Sequence, residues 1–225
     1  MVILLPAYSQ NLILNGDFEN YTNCPDLSAT IQVCKDWRNP NYTTSPDYYN
    51  NCDSSGYLRA KFGGPLNGNG YCGIMMFSAN TYSYKEYIQG KLIKPMERGR
   101  RYRISMQILL DSNSNYYSDL FSIGFSYEPS VWIRKINGYA VIFSDRIVTF
   151  TCDSCLKIKN RWTTIQAEFT SKGSEQFINI GYFKNLYNRR KHRIMLRSHT
   201  FNSISIDAID HAYYYIDNVV VEEIK

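Results

Sequence analysis

The sequence predicts an all-β chain folded as one antiparallel β-sandwich of jelly-roll type. Three observations predict it. Apolar residues recur with period two through most of the chain, and no stretch sustains a period of 3.6. The alternating runs are short and separated by turn residues at hairpin spacing, the pattern of a sandwich or barrel. The two ends also match. Asn-Leu-Ile-Leu-Asn-Gly-Asp-Phe-Glu, residues 11–19, and Tyr-Tyr-Tyr-Ile-Asp-Asn-Val-Val-Val, residues 213–221, each set an apolar strand beside a polar, carboxylate-bearing turn. Two such strands at opposite ends of a chain can close one sandwich and bring Asp17, Glu19 and Asp217 together.

Residues 1–10 read as the remnant of a secretory signal peptide: an apolar run, then Ala7-x-Ser9, a small-x-small cleavage pattern. The run is too short to span a bilayer and no other reaches that length, so membrane insertion is not expected. The mature chain is expected to begin near Gln10 or Asn11. Residues 11–225 are expected to form a single domain, because no linker-like run divides them and 225 residues suit one sandwich.

After the opening strand, residues 20–68 carry almost only loop signals, with isolated aromatics. A connection of that length is usually functional or pinned by a disulfide. Strands then follow in order. Gly70 to Phe77 is an apolar run. Tyr84 to Leu92 alternates, with Lys85, Tyr87, Gln89 and Lys91 on one side. Tyr102 to Leu110 turns Tyr102, Ile104, Met106, Ile108 and Leu110 inward and Arg103, Ser105 and Gln107 outward. Leu120 to Ser126 turns Phe121, Ile123 and Phe125 inward, and further strands fall within Val131 to Phe150. Trp162 to Thr170 alternates cleanly, Gln176 to Phe183 follows a Lys172-Gly173 turn, and the closing strand ends the chain.

The six cysteines are an even number, and export makes disulfides plausible, although six allow 15 pairings. Cys24, Cys34 and Cys52 lie where a loop-rich region could use a staple. Cys152-x-x-Cys155 lacks the second pair or nearby histidines that zinc wants, so a local disulfide or free thiols is the reading. Cys72 reads as a buried small residue. The net charge is +5, and Lys184, Arg189, Arg190, Lys191, Arg193 and Arg197 fall in one segment beside His192 and His199. Such a run attracts polyanions, but no nucleic-acid motif accompanies it and nucleic acid is not expected as a partner.

The Asn-Leu-x-x-Asn-Gly-x-Phe-Glu opening and the Ile-Asp-Asn-Val close resemble the start and finish of carbohydrate-binding-module sandwiches with a galactose-binding-like jelly roll. Pro46-Asp-Tyr-Tyr-Asn-Asn-Cys52, Gly68-Asn-Gly-Tyr-Cys-Gly73, Tyr84-Lys-Glu-Tyr-Ile-Gln89 and the 177–183 stretch fall in the order seen in a secreted sandwich domain of Bacteroidetes envelope proteins. The chain departs from that pattern at Cys72, around Cys152 and Cys155, and in the basic insertion at 184–199. The resemblance implies secretion or an outer-surface location rather than a reaction. It also implies a structural Ca²⁺ where the first and last strands meet, held by Glu19 and Asp217, with Asp17 and carbonyls near Asn15 completing the shell. The plainer reading of the same carboxylates is that they accept hydrogen bonds from backbone amides of their turns.

A sugar needs a flat ring to stack on and amides to bind its hydroxyls. Tyr87 and Gln89 share one strand face, and Gln107 shares a face with Arg103 and Ser105. If these strands are neighbours, they make a polar groove with an aromatic platform, rimmed by Trp37, Tyr48, Tyr49 and Trp132. The plainer reading is the wet face that an antiparallel sheet shows to water. No nucleophile elbow, zinc-protease helix or phosphate loop appears, and nothing selects Glu86 and Asp111 as a glycosidase pair, so the sequence does not point to an enzyme. The expectation is a non-catalytic module binding polysaccharide or glycan at the cell surface. The alternative is a structural or protein-interaction domain of the bacterial envelope, serving adhesion or surface assembly with other envelope proteins.

Overall fold

A computed structural model describes residues 10–26, 30–53, 64–78, 84–129, 132–136, 139–144, 146–152, 154–183 and 211–224. The signal-like residues 1–9 and the basic segment 184–199 lie outside them. The strands in chain order are β1 (Trp37–Arg38), β2 (Asp47–Asn50), β3 (Gly70–Ser78), β4 (Ile88–Lys91), β5 (Arg101–Leu110), β6 (Ser122–Ser126), β7 (Trp132–Ile136), β8 (Tyr139–Phe143), β9 (Ile147–Thr149), β10 (Thr163–Thr170), β11 (Phe177–Gly181) and β12 (His211–Ile224). They build an antiparallel β-sandwich of two five-stranded sheets. The first sheet runs β1-β4-β11-β6-β9, the second runs β10-β5-β12-β3-β2, and β7 pairs with β8 as a separate hairpin.

Period two explains the packing. Ile104, Met106 and Ile108 of β5 and Ile216, Val219 and Val221 of β12 point from the second sheet into one core. Ile88 of β4, Ile123 of β6, and Ile178 and Ile180 of β11 meet them from the first sheet. The alternating residues face outward, so each sheet has one surface away from this core.

The two ends of the chain meet, but the opening stretch is not a strand of either sheet. Leu12 N–H donates to the Val221 carbonyl at 2.7 Å, while Ile93 N–H donates to the Leu12 carbonyl at 2.8 Å and Leu14 N–H to the Lys91 carbonyl at 3.0 Å. The segment thereby ties β12 of the second sheet to the end of β4 in the first. Its residue types follow from that task. Asn11 holds β12 by its side chain, accepting from Val221 N–H at 2.9 Å and donating to the Val219 carbonyl at 3.0 Å. Gly16 passes so close that a Cβ would sit 2.1 Å from the Val219 carbonyl oxygen. Asn15, at φ 49°, donates to the Asn20 and Lys35 carbonyls and shapes the turn. Opposite, β12 shifts register between Asp217 and Val220, with Asn218 also at φ 49°, as a bulge requires.

Two expectations are corrected. Residues 20–68 are not loop throughout, since β1 and β2 each add an edge strand. More consequentially, β4 and β5 are not neighbours: β4 belongs to the first sheet and β5 to the second, and residues 92–100 carry the chain across the sandwich. Cys24 bonds Cys52 and Cys152 bonds Cys155, while Cys34 and Cys72 are buried free thiols. No helix among the described residues is long and apolar enough to cross a membrane.

Candidate functional site

The groove expected from Tyr87, Gln89 and Gln107 does not form, because β4 and β5 lie in opposite sheets. Tyr87 precedes β4 and is fully buried. Its ring lies 5.2 Å from that of Phe183 and its hydroxyl donates to the Tyr182 carbonyl at 3.0 Å, so it offers no ring face to a ligand. Gly181 lacks a side chain where one is impossible: a Cβ there would be 2.4 Å from the Tyr87 ring. Trp37 is a core residue rather than a rim, 4.8 Å from Phe18, with its indole N–H donating to the Asn15 carbonyl at 2.8 Å. Tyr48 is likewise buried, its hydroxyl donating to the Phe18 carbonyl at 2.8 Å.

Gln89 belongs to the outer face of the first sheet. The registers β1–β4, β4–β11, β11–β6 and β6–β9 align Arg38, Gln89, Asn179, Gly124 and Ile147 in one row across all five strands. The row is joined by directed hydrogen bonds. Arg38 Nε donates to Gln89 Oε1 at 2.5 Å, and Gln89 Nε2 donates to Asn179 Oδ1 at 2.7 Å. Asn179 Nδ2 then donates to the Gly124 carbonyl and Ser126 Oγ, each at 3.4 Å. Gln89 and Asn179 are buried while Arg38 is exposed, so the two amides act as a fixed stay behind a guanidinium that reaches solvent. The next row is Lys91, Phe177 and Ser126. Lys91 is exposed, and Phe177 and Ser126 are half-buried. Tyr127, just past β6, is 57% exposed. Cations, a hydroxyl and the Phe177 ring therefore share one margin of this face.

Gln107 and Tyr49 lie on the outer face of the second sheet. Gln107 Nε2 donates to Thr164 Oγ1 at 2.7 Å. Tyr49 stacks on Tyr71 at 5.0 Å, and Tyr71, Tyr213, Tyr215 and Leu109 form a small buried cluster with Trp162 against it. Trp162 Nε1 donates to the Gly64 carbonyl at 3.3 Å, and Asp217 Oδ2 accepts from Leu66 N–H at 3.0 Å, so the 64–66 segment is fastened over this face. Farther along, Arg101 and Arg103 bind Glu168 at 2.8 Å each, and Arg103 also meets Glu222 at 3.2 Å.

Where this cluster meets the start of β2, the Tyr213 hydroxyl donates to Asp47 Oδ2 at 2.5 Å. Nearby, the buried Glu86 carboxylate accepts from Met75 N–H and Tyr84 O–H at 2.8 Å each and from Ser45 N–H at 3.2 Å. Burial pushes Glu86 up to about 7 despite these donors, with Asp47 adding to the rise. Among the acids weighed for catalysis, Glu86 is thus enclosed in backbone and hydroxyl contacts. Asp111 accepts from Asn113 N–H at 3.0 Å in the turn after β5.

Glu19 and Asp217, two of the three carboxylates of the expected calcium set, bond backbone amides, as the plainer reading has it. Glu19 Oε1 accepts from the Asn69 and Gly70 N–H groups at 2.7 Å each. Asp217 accepts from Leu66 N–H on one oxygen and Asn218 N–H, at 2.6 Å, on the other. Asp17 is exposed. Among the described residues no three carboxylate, imidazole or thiolate groups converge to hold a metal ion. Burial raises Asp217 to about 6, with the Glu19 charge contributing.

Arg38, Lys91, Phe177 and Asn179 were not singled out as site residues by the sequence. The outward set Phe177 and Asn179 was visible in the alternation of 176–183, but its alignment with Arg38 depends on β1, a two-residue strand in a loop-rich stretch.

No protein-family model matches the chain, and no curated protein is similar to it in sequence. Among solved structures, it is similar to the enzymatically active domain of bacteriophage CBA120 tailspike protein 4, at 13% identity and TM-score 0.43. That match covers 95% of this chain but only 21% of the tailspike chain. It is similar to the CBM22-1 xylan-binding domain of Paenibacillus barcinonensis Xyn10C, at 13% identity and TM-score 0.45 over 97% of this chain and 99% of that one. A third similar structure is the K1 cleaved adhesin domain of Lys-gingipain from Porphyromonas gingivalis, at 11% identity and TM-score 0.43 over 93% and 96% of the two chains. Likeness at this level says nothing about what this chain itself binds.

Proposed function

We propose that this chain is a non-catalytic glycan-binding domain working at or outside the cell surface, with its sugar held on the outer face of the first sheet. The observation that carries the reading is the margin where half-buried Phe177 lies between Lys91 and Ser126, one row from Arg38. A pyranose needs an apolar ring face below it and polar groups at its edge. Phe177 supplies the ring, with Tyr127 a second, exposed one. Ser126, Lys91 and Arg38 supply hydrogen-bonding groups at the edge. The Gln89–Asn179 stay keeps Arg38 in place without consuming ligand-binding energy to order it. Gln89 thus keeps a place in the site as a support, while Tyr87, Trp37, Tyr49 and Gln107 do not enter it. Two disulfides fit an oxidising compartment.

The test is binding of the purified chain to a broad panel of polysaccharides and oligosaccharides by affinity electrophoresis and calorimetry, beside Phe177→Ala. The expected result is saturable binding that weakens by roughly five- to twentyfold in the variant, the loss expected for one stacking ring, with an unchanged melting temperature. A folded protein that binds no glycan removes this reading and turns the search to protein partners in the envelope.

A further inference from the structure

We propose that the glycan held on this face is acidic, carrying uronate carboxylates or sulfate esters that Arg38 and Lys91 engage directly. The inference rests on the glycan-binding reading and goes beyond it by fixing the ligand's charge class. The contrast between the two outer faces carries it. On the second sheet, Arg101 meets Glu168, and Arg103 meets both Glu168 and Glu222. On the first, among the described residues, no carboxylate forms an ion pair with Arg38 or Lys91, although both are exposed. Arg38 takes a neutral amide, Gln89 Oε1, as its side-chain partner.

The direction of the hydrogen bonds sharpens this. Arg38 donates to Gln89 through Nε, and its two terminal guanidinium nitrogens form the other edge of an exposed side chain. That edge is the fork that binds a carboxylate or sulfate with two parallel hydrogen bonds. Gln89 is itself turned by Asn179, whose own amide is set by the Gly124 carbonyl and Ser126 Oγ. A neutral amide at position 89 holds the guanidinium without quenching its charge. Lys91, two residues along the same strand and outward on the same face, adds a second cation beside the Phe177 ring. Gln89 is here a positioning residue, and Arg38 and Lys91 are the ligand contacts.

The experiment compares pairs of glycans that differ only in charge. Oligogalacturonate is titrated against its methyl ester, and dextran sulfate against dextran, at low and high salt. Variants are Arg38→Gln, Lys91→Gln, Gln89→Glu and, as a control for net charge, Arg101→Gln on the opposite sheet. The expected result is that at least one charged glycan binds about tenfold or more tightly than its neutral counterpart, as charge-assisted hydrogen bonds imply. Its binding weakens with salt. Arg38→Gln and Lys91→Gln each weaken it by roughly fivefold or more, and Arg101→Gln by less than about twofold. Gln89→Glu pairs with Arg38 and also weakens it; because the substitution removes the donor to Asn179 Oδ1, its melting temperature falls and its binding is read well below the transition. Preference for carboxylate over sulfate, or the reverse, identifies which anion the fork takes. Equal binding of charged and neutral partners with Phe177 still required overturns the acidic-ligand inference and leaves the glycan reading standing. Charged binding that Arg38→Gln and Lys91→Gln leave intact also overturns it, assigning the attraction to other basic residues. Absence of any glycan binding overturns both.

Discussion

Glu86 and Asp217 are buried carboxylates that form no ion pair among the described residues, and desolvation raises both, to about 7 and about 6. The sign of the resulting pH dependence follows. A carboxyl whose folded value lies above its unfolded one binds more protons folded than unfolded between the two values. Its stabilising contribution is therefore complete below about pH 4, the unfolded range, and is lost as pH rises through 6 to 7. For Glu86 the loss is on the order of 3 kcal/mol. The melting temperature is expected to be several degrees lower at pH 8 than at pH 5. Glu86→Gln should flatten most of that slope. A melting temperature that rises steadily from pH 5 to 8 in the wild type would contradict this reading of the two sites. The same residues mark where sequence could not reach. Glu86 lies next to Tyr87 in an alternating run, and alternation alone does not reveal that chain on both sides of the sheet covers them.

The long strands β5 and β10 were legible because they present five and three alternating apolar residues to one core, whereas β12, whose period a bulge breaks, was legible from its apolar run beside a polar turn. The short edge strands β1 and β2 were not, since two or four residues among Asn, Pro and Ser show no period. Pairing was also beyond a period-two argument. The turn after Leu92 suits a hairpin between β4 and β5 as well as it suits the arch that takes the chain to the other sheet. That ambiguity displaced the expected groove. The disulfides belong to this scale. Cys24–Cys52 spans 28 residues and ties the opening region to the end of β2, whereas Cys152–Cys155 spans only 3. Loop-closure entropy gives the first roughly 3–4 kcal/mol and the second about half that. Replacing both Cys24 and Cys52 by Ser should therefore lower the melting temperature clearly more than replacing Cys152 and Cys155. The reverse order would mean that the 24–52 loop is already ordered in the unfolded ensemble.

As a whole, the molecule is a sandwich with two unlike outer faces. One is occupied, by an aromatic cluster with the 64–66 segment fastened across it and by matched Arg–Glu pairs. The other is covered at one end by the cluster of Tyr87, Ile142 and Phe183 and ends, among the described residues, in a margin where exposed Arg38 and Lys91 flank the Phe177 ring, supported by a buried amide relay. The meeting of residues 11–19 with β12 was legible from the matched apolar and polar pattern of the two stretches, although Asn11 and Gly16, rather than the carboxylates, make the contact. Which face carries a ligand was not, because that depends on what covers each sheet rather than on which residues point out of it. The central claim is that the margin of the first sheet is the binding surface. Amide chemical-shift mapping during titration with the tightest glycan from the panel tests it most directly. The account predicts the largest shifts at Arg38, Lys91, Ser126, Tyr127 and Phe177, with little change at Tyr49, Gln107 and Thr164. Shifts concentrated on the second sheet around Tyr49, Trp162 and Gln107 would contradict it and move the site to the opposite face.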